Sequence, residues 1–422
     1  MIARSPRRTV ARHGRLRAPR AWSQALRLVA LSLAVVLVSG TGVAAYVVYD
    51  LSATVSSHAV ALDGEASIPP DISAYKDGFN LLLTGLDKCE PAYASLFPGR
   101  CDGPDADGIS NDVTLMVHVS TSPRRVTVVS FPRDMIVPVP SCTAADGSTI
   151  PKSSGQMFNT TYKEGGLNCV ARTITALTDQ PVQFAASVTF GGVIEITNAI
   201  GGVDVCLATP LQDPYTGLDL SAGTHTIAGY EALQFLRTRH GLVSGSDLAR
   251  IGNQQQYMSS LARKLVSGKV LGDVPTLLKL ATVAVKNLEA STSLANPATL
   301  VQLALAVKDV PLSDITFVQY PNVTDPDNPN RVLPDEDAAK ALWDAIVANA
   351  PLEITHQNTE NDGVTVEPAP GSTTAPVDPA APATQDATPA PDPAPTSTAV
   401  PLPQNVKGNT ASQATCSNGT SY

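Results

Sequence analysis

Eight charged residues and one amide recur at places in this 422-residue chain where their chemistry could be pooled. The run VVSFPRDM ends a strand-like stretch with Arg133 beside Asp134. Asp87 closes the apolar NLLLTGLD, and Asp112 opens DVTLMVHVS. RTRH sets Arg237 and Arg239 two residues apart, on one face of an extended backbone. SDLARIGNQQQ sets Asp247, Arg250 and Gln254 at i, i+3 and i+7, one face of a helix. Guanidinium forks match phosphate oxygens bidentately, whereas carboxylates suit a hard divalent cation. Both together describe a site for a metal-complexed di- or polyphosphate, whose groups also stabilise charge growing on a departing phosphate. Singly, each residue has an ordinary explanation as an ion pair, a solvated face or, for Asp247, a helix cap. The weight lies in the set.

The elements that must position this set read as an α/β fold. NLLLTGLD suits a strand buried on both faces. DVTLMVHVS puts Val113, Leu115, Val117 and Val119 on one face, and TSPRR turns it into VTVVSF, an antiparallel pair. Helical patterns follow around Cys169–Leu177 and Gly192–Ala199, separated by the strand-like VQFAASVTF. GGVDVCL reads as a strand, GYEALQFL as a helix, and Asp247 to about Leu265 as an amphipathic helix. More helix is expected from about Pro275 to Val307, and DEDAAKALWDAIVAN predicts one with Leu342, Trp343 and Ile346 inward. Strands alternating with helices imply an α-β-α sandwich around a mixed central sheet. Such sheets gather ligands at strand ends.

Charge divides the chain unevenly. Residues 1–27 hold eight arginines and no acid, and the remainder has 21 basic and 38 acidic residues. The acidic body, with 5% aromatics, does not suit nucleic-acid binding. Residues 28–49 carry no charge, enough to cross a bilayer. The arginine-rich flank predicts a cytoplasmic tail at 1–27, a transmembrane helix at 28–49 and an extracellular remainder, a single-pass type II membrane protein. The small residues of VSGTGVAA also allow a cleaved signal peptide, for which the apolar run is long. A spacer follows at 50–77, a body at 78–354, and a tail at 355–422. Residues 364–405 hold 11 of the 34 prolines and no basic residue, a disordered composition. Six cysteines beyond the anchor permit disulfides and show no zinc-ligand spacing. Cys89 with Cys101 and Cys142 with Cys169 are plausible loop staples, but 15 full pairings are open.

The order LLLTGLD, SNDVTLMVHVS, VVSFPRDMIVPVP, FNTTYKEGG, FGGVIEITNAIGGVDV, ALQFLRTRH and DLARIGNQQQ resembles the LytR-CpsA-Psr family, over roughly Asn80–Leu265. The loop SCTAADG is similar to actinobacterial members. The resemblance implies a membrane-anchored, Mg²⁺-dependent phosphotransferase, with Mn²⁺ as a substitute. Its implied partners are the membrane, a polyprenyl-pyrophosphate-linked glycopolymer and peptidoglycan, joined by a phosphodiester in cell wall assembly. It implies Asp87 and Asp112 at the metal, and Arg133, Arg237, Arg239, Arg250 and Gln254 at the pyrophosphate. Asp112, Arg133, Asp134 and Arg239 are the expected catalytic group. Asn159 and Tyr162 match a loop motif, and Gly201 and Gly202 its glycine turn.

Four positions depart from that pattern. Ser110 and Asn253 stand where many members have arginine, Ala249 replaces a common glycine and Met157 a common lysine. The site is therefore expected to be less positive than usual. An extracellular pyrophosphatase acting on lipid carriers would use the same groups. A non-catalytic lipid- or wall-binding scaffold is the rival of a different class.

Overall fold

The computed structural model describes residues 22, 24–35, 38–39, 42, 59–62, 78–144, 146–267, 270, 273–295, 297–357, 363–366 and 399–420. The chain forms two units, 1–50 and 51–422. In the first, residues 24–35 are helical and exposed. No helix among the described residues is long and apolar enough to cross a membrane. Of the expected span 28–49, residues 36–37, 40–41 and 43–49 lie outside the described residues.

The second unit is built on three antiparallel strands, β1 (Phe79–Lys88), β2 (Ile109–Val119) and β3 (Val126–Phe131). Phe184–Thr189 runs parallel to β1, and Ile315–Gln319 parallel to β3. Leu288–Ala290, Lys407–Thr410 and His356–Gln357 complete an eight-stranded mixed sheet. Strand alternation sorts side chains onto two faces. Leu82, Leu86, Met116 and Phe131 pack on one face with Leu167 and Ile174 of helix Thr161–Thr178 and Leu342, Trp343 and Ile346 of helix Glu336–Val347. Phe79, Leu115, Val119, Val128 and Phe317 pack on the other, with Leu303 and Met258 from later helices. This is the expected sandwich. A smaller core joins strand Val203–Leu207 to helix Gly229–Arg237 and the start of helix Asp247–Ser267.

Three boundaries differ from expectation. The helix expected over 275–307 is interrupted: Val274–Asn287 and Pro297–Val307 flank strand Leu288–Ala290, which joins the sheet edge. Residues 59–62 of the expected spacer dock there, where Val60 exchanges backbone hydrogen bonds with Ala290 and Thr292.

The largest correction concerns the tail. Disorder was expected from 355 onward, yet 399–420 folds onto the body. Lys407–Thr410 pairs with Ile315–Gln319, and Thr415–Ser417 pairs with Val364–Val366. Leu402, Val406, Ala411 and Cys416 are buried, and Cys416 is bonded to Cys206. Proline-rich composition averaged over the whole tail hides residues 399–420, which regain apolar and β-forming side chains. Residues 358–362 and 367–398 lie outside the described residues. Cys89–Cys101 and Cys142–Cys169 are the other disulfides.

Candidate active site

The register of β1 against β2 places the two metal-site candidates. Gly85 faces Val113 and Leu86 faces Asn111, so Asp112 is the extra residue of a bulge. A bulge bends the strand and re-aims its side chains. Asp112 accepts from the Ser110 hydroxyl at 2.9 Å and from Arg133 at 2.9 Å. Asp87 lies opposite Ser110 in the same register and pairs with Arg100 at 2.6 Å. Arg100 precedes Cys101 in the disulfide-closed loop. It also donates to the carbonyls of Asp87, Asp105 and Gly108.

Arg133 follows β3 and enters a cage of carboxylates. Besides Asp112 it meets Asp247 at 3.1 Å and Asp134 at 3.8 Å. Asp247 also pairs with Arg250 at 2.8 Å, and Arg250 donates to the Asp112 carbonyl at 3.0 Å. Burial opposes the Arg133 charge, but Asp247, Asp112 and Asp134 outweigh it and hold its pKa above the ordinary value. For Arg250 burial wins, and its pKa is lowered despite Asp247. The Asp134 carboxyl is pushed up, by burial first and then by the like charge of Asp247. Arg331, at 3.6 Å, partly compensates it.

The guanidinium groups of the second pair of arginines meet no carboxylate among the described residues. Arg237 ends helix Gly229–Arg237 and lies over the rings of Phe190, at 4.4 Å, and Phe97, at 5.3 Å. The Arg239 backbone amide donates to Asp213, and its guanidinium lies 3.3 Å from His240 Nε2. Gln254 is buried and donates to the Leu236 carbonyl at 2.9 Å. The polar face of helix Asp247–Ser267 is thus turned into the protein, not to solvent.

Asp87, Asp112, Arg133, Arg237, Arg239, Arg250 and Gln254 line one cavity of about 670 Å³. Much of the remaining wall is apolar, including Leu115, Val188, Ile196, Leu233, Met258 and Leu261. Asp134 is not among the lining residues and stands behind Arg133. Asn159 and Tyr162 do not line it either. The Asn159 amide donates to the Arg133 carbonyl, which fixes the chain after β3. Tyr162 donates to Glu289 at 2.6 Å, and burial with that carboxylate raises its pKa. Gly201 and Gly202 both have φ +76°, a conformation that favours glycine, and their carbonyls receive Lys264.

Asp247, which the sequence placed in the set with a helix cap as its ordinary explanation, is the hub between Arg133 and Arg250. Sequence reasoning passed over three residues. Arg100, Arg331 and Asp213 stood in no motif, and their roles depend on loops closing across the fold. Two departures gain a structural reason. Ser110 serves Asp112. Asn253 donates to the Phe235 carbonyl at 2.8 Å and accepts from Ser417 at 2.6 Å, which binds the C-terminal segment to the site helix.

Among the described residues no group of three His, Cys, Asp or Glu side chains is arranged to hold a metal. Mg²⁺ needs less, since it commonly takes one or two carboxylates and completes its shell with phosphates and water. Asp87 and Asp112, which both line the cavity, are two carboxylates that could hold Mg²⁺ whose remaining ligands come from outside the protein. They do not fit a cage made by protein alone.

Known proteins resemble the chain over its body. The cell wall biosynthesis protein LcpA of Corynebacterium glutamicum is 28% identical over 270 residues, 60% of this chain and 51% of LcpA. The chain thus spans about half the length of that relative. TagT of Bacillus subtilis, named a polyisoprenyl-teichoic acid–peptidoglycan teichoic acid transferase, is 25% identical over 304 residues, 70% of this chain and 86% of TagT. A solved LytR-Csp2A-Psr enzyme from Actinomyces oris superposes with a TM-score of 0.47 at 22% identity, covering 68% of this chain and 96% of the other. The model of the LytR_cpsA_psr family matches residues 45–347, and the chain belongs to that family.

Proposed function

We propose that this protein transfers a glycopolymer from a polyprenyl-pyrophosphate carrier to peptidoglycan, forming a phosphodiester during cell wall assembly. One observation carries the reading: four arginines, three aspartates and an otherwise largely apolar wall share a single cavity. A lipid pyrophosphate asks for both surfaces, apolar for the chain and cationic for the head. The transferase name of TagT supports the same reaction class for a relative matched over 86% of its length.

The chemistry follows from these side chains. Arg237 and Arg239 bind pyrophosphate oxygens, and Arg133 and Arg250, largely neutralised by their carboxylates, add N–H donors from fixed positions. An acceptor hydroxyl attacks the polymer-side phosphorus. The bond to the second phosphorus's bridging oxygen breaks, and polyprenyl phosphate leaves with that oxygen and its electron pair. Arginine forks stabilise the negative charge it gains. Asp112, the carboxylate that lines the cavity close to Arg133, takes the hydroxyl proton. Mg²⁺, held by Asp87 and Asp112, would neutralise phosphate oxygens when bound.

The anchor belongs to this proposal. Residues 28–49 carry no charge and follow eight arginines, so the body would lie outside the membrane, near its lipid donor. Tethering raises the effective donor concentration.

The test incubates the protein with a polyprenyl-pyrophosphate-linked sugar, peptidoglycan oligomers and Mg²⁺, and follows the product by mass spectrometry. Phosphodiester-linked product that is lost with Arg133→Ala and with chelator is expected. Free phosphorylated sugar without linkage would instead identify a pyrophosphatase, and lipid binding without turnover a scaffold.

A further inference from the structure

We propose that Tyr215 and His240 form a stacking platform for a pyranose ring of the substrate, next to the phosphate-binding Arg239. This rests on the reading of the cavity as a site for a sugar-linked lipid pyrophosphate. Tyr215 lines the cavity yet is 76% exposed. Its ring lies against that of His240, with centroids 4.3 Å apart and planes at 37°. His240 in turn faces the Arg239 guanidinium through Nε2.

The segments carrying these rings are held together from beneath. Asp213 is 1% exposed. Its Oδ1 accepts from the Tyr215 amide at 3.0 Å, and its Oδ2 from the amides of Arg239, at 3.0 Å, and Gly241, at 3.2 Å. The hydroxyls of Thr216 and Thr238 meet at 3.1 Å, and Gln234 donates to the Thr216 carbonyl at 2.8 Å. A side chain on Gly241 would come within 2.5 Å of the Gln212 carbonyl, so the two segments lie flush. A buried carboxylate is costly unless its oxygens are satisfied. Here that carboxylate fixes a turn whose tyrosine contributes almost nothing to the core. The result is a rigid, wet aromatic face beside an arginine, preorganised for a ligand with an apolar face, hydroxyls and a neighbouring phosphate. A pyranose attached to or approaching a phosphate has all three.

The ring could come from the donor's first sugar or from the acceptor glycan, and binding measurements separate them. Full-length protein in detergent is titrated with polyprenyl pyrophosphate, with the same lipid bearing N-acetylglucosamine, and with a soluble peptidoglycan tetrasaccharide. Tyr215→Ala is expected to weaken a sugar-bearing probe by about tenfold and leave the sugar-free lipid unchanged. Tyr215→Phe should keep wild-type affinity. Loss confined to the lipid-linked sugar assigns the donor, and loss confined to the tetrasaccharide assigns the acceptor. In turnover the change falls on KM for that substrate and not on kcat. Unchanged binding of both sugar probes, or an equal loss for the sugar-free lipid, overturns the platform. Failure of the wild type to bind either lipid would sink the functional reading instead. The tetrasaccharide then decides alone: binding lost in Tyr215→Ala sustains the platform, and binding absent or unaltered overturns it.

Discussion

Four arginines reach the cavity in two pairs held by opposite means. Arg133 and Arg250 share Asp247, with Asp112 and Asp134 adding further negative charge. The guanidinium groups of Arg237 and Arg239 have no carboxylate partner among the described residues; one lies over two phenylalanine rings, and the other residue is held through its backbone amide on Asp213. The difference separates two electrostatic tasks. The caged pair is largely neutralised before a ligand arrives, so it serves as a fixed framework whose removal disturbs the fold. The open pair carries the uncompensated charge that an entering pyrophosphate would meet.

Asp247→Ala tests the cage and should have the largest effect. Arg250, whose side chain is 8% exposed, would lose its carboxylate, and Arg133 one of three. Removing one partner of a buried pair costs about 3–5 kcal/mol. A fall in Tm of about 5 °C is expected, with product formation lost at 25 °C. An unchanged melting curve would remove the distinction between the two pairs.

Arg237→Ala tests the other side. Its contact with the rings is worth about 0.5–1 kcal/mol, so the melting curve should scarcely move. Phosphodiester formation should fall by about 10²–10³-fold. If stability falls as far as in Asp247→Ala, Arg237 is structural and the open pair is not a binding pair.

How much of this was legible in the sequence depends on the range of the interactions. The strand faces were readable, because a period of two fixes Val113, Leu115, Val117 and Val119 against one core wherever the strand goes. The site residues were readable as a set, since Asp87, Arg133 and Arg237 lie at the ends of local elements and Arg250 and Gln254 share one face of a helix, all of which the fold brings to one cavity. What escaped depends on register and long-range closure. The bulge that isolates Asp112 is invisible in DVTLMVHVS. Arg100 looks like a loop residue until Cys89–Cys101 folds it onto Asp87. The C-terminal strands escaped because proline-rich residues before them dominate the composition, while their stability comes from Cys206, Asn253 and the sheet edge.

Arg100 sharpens the comparison as a third case, an arginine held by one carboxylate and three carbonyls. Arg100→Ala should weaken Mg²⁺ binding, read by calorimetry on the protein without substrate, because the Asp87 carboxylate loses its orientation. A loss of about tenfold is expected. Ser110 is the cross-strand partner of Asp87, so an arginine there would stand on the same face at pairing distance. Adding Ser110→Arg to Arg100→Ala should restore part of the affinity. Rescue failing while Arg100→Lys retains binding would show that the loop itself, not its charge, sets Asp87.

Asp134 gives the smallest and most diagnostic effect. The cage holds more carboxylate than its arginines fully balance, and Asp134 is the member whose ionisation the fold disfavours. Burial and Asp247 raise its pKa above the ordinary 3.8. Between 3.8 and the folded value the native state therefore binds more protons than the unfolded chain, and stability falls as pH rises through that window. Above it the cost is constant, and below 3.8 it is absent. Asp134→Asn should be more stable than wild type at neutral pH, with the gap closing as pH falls. His118 acts in the opposite sense. Burial depresses its pKa from 6.5 to about 4, so the stability it contributes is lost as pH falls across that range. Only the difference between the two denaturation curves, taken pH by pH, isolates Asp134. A difference of constant size down to pH 3 would mean that Asp134 carries no excess charge, and that the cage is balanced as it stands.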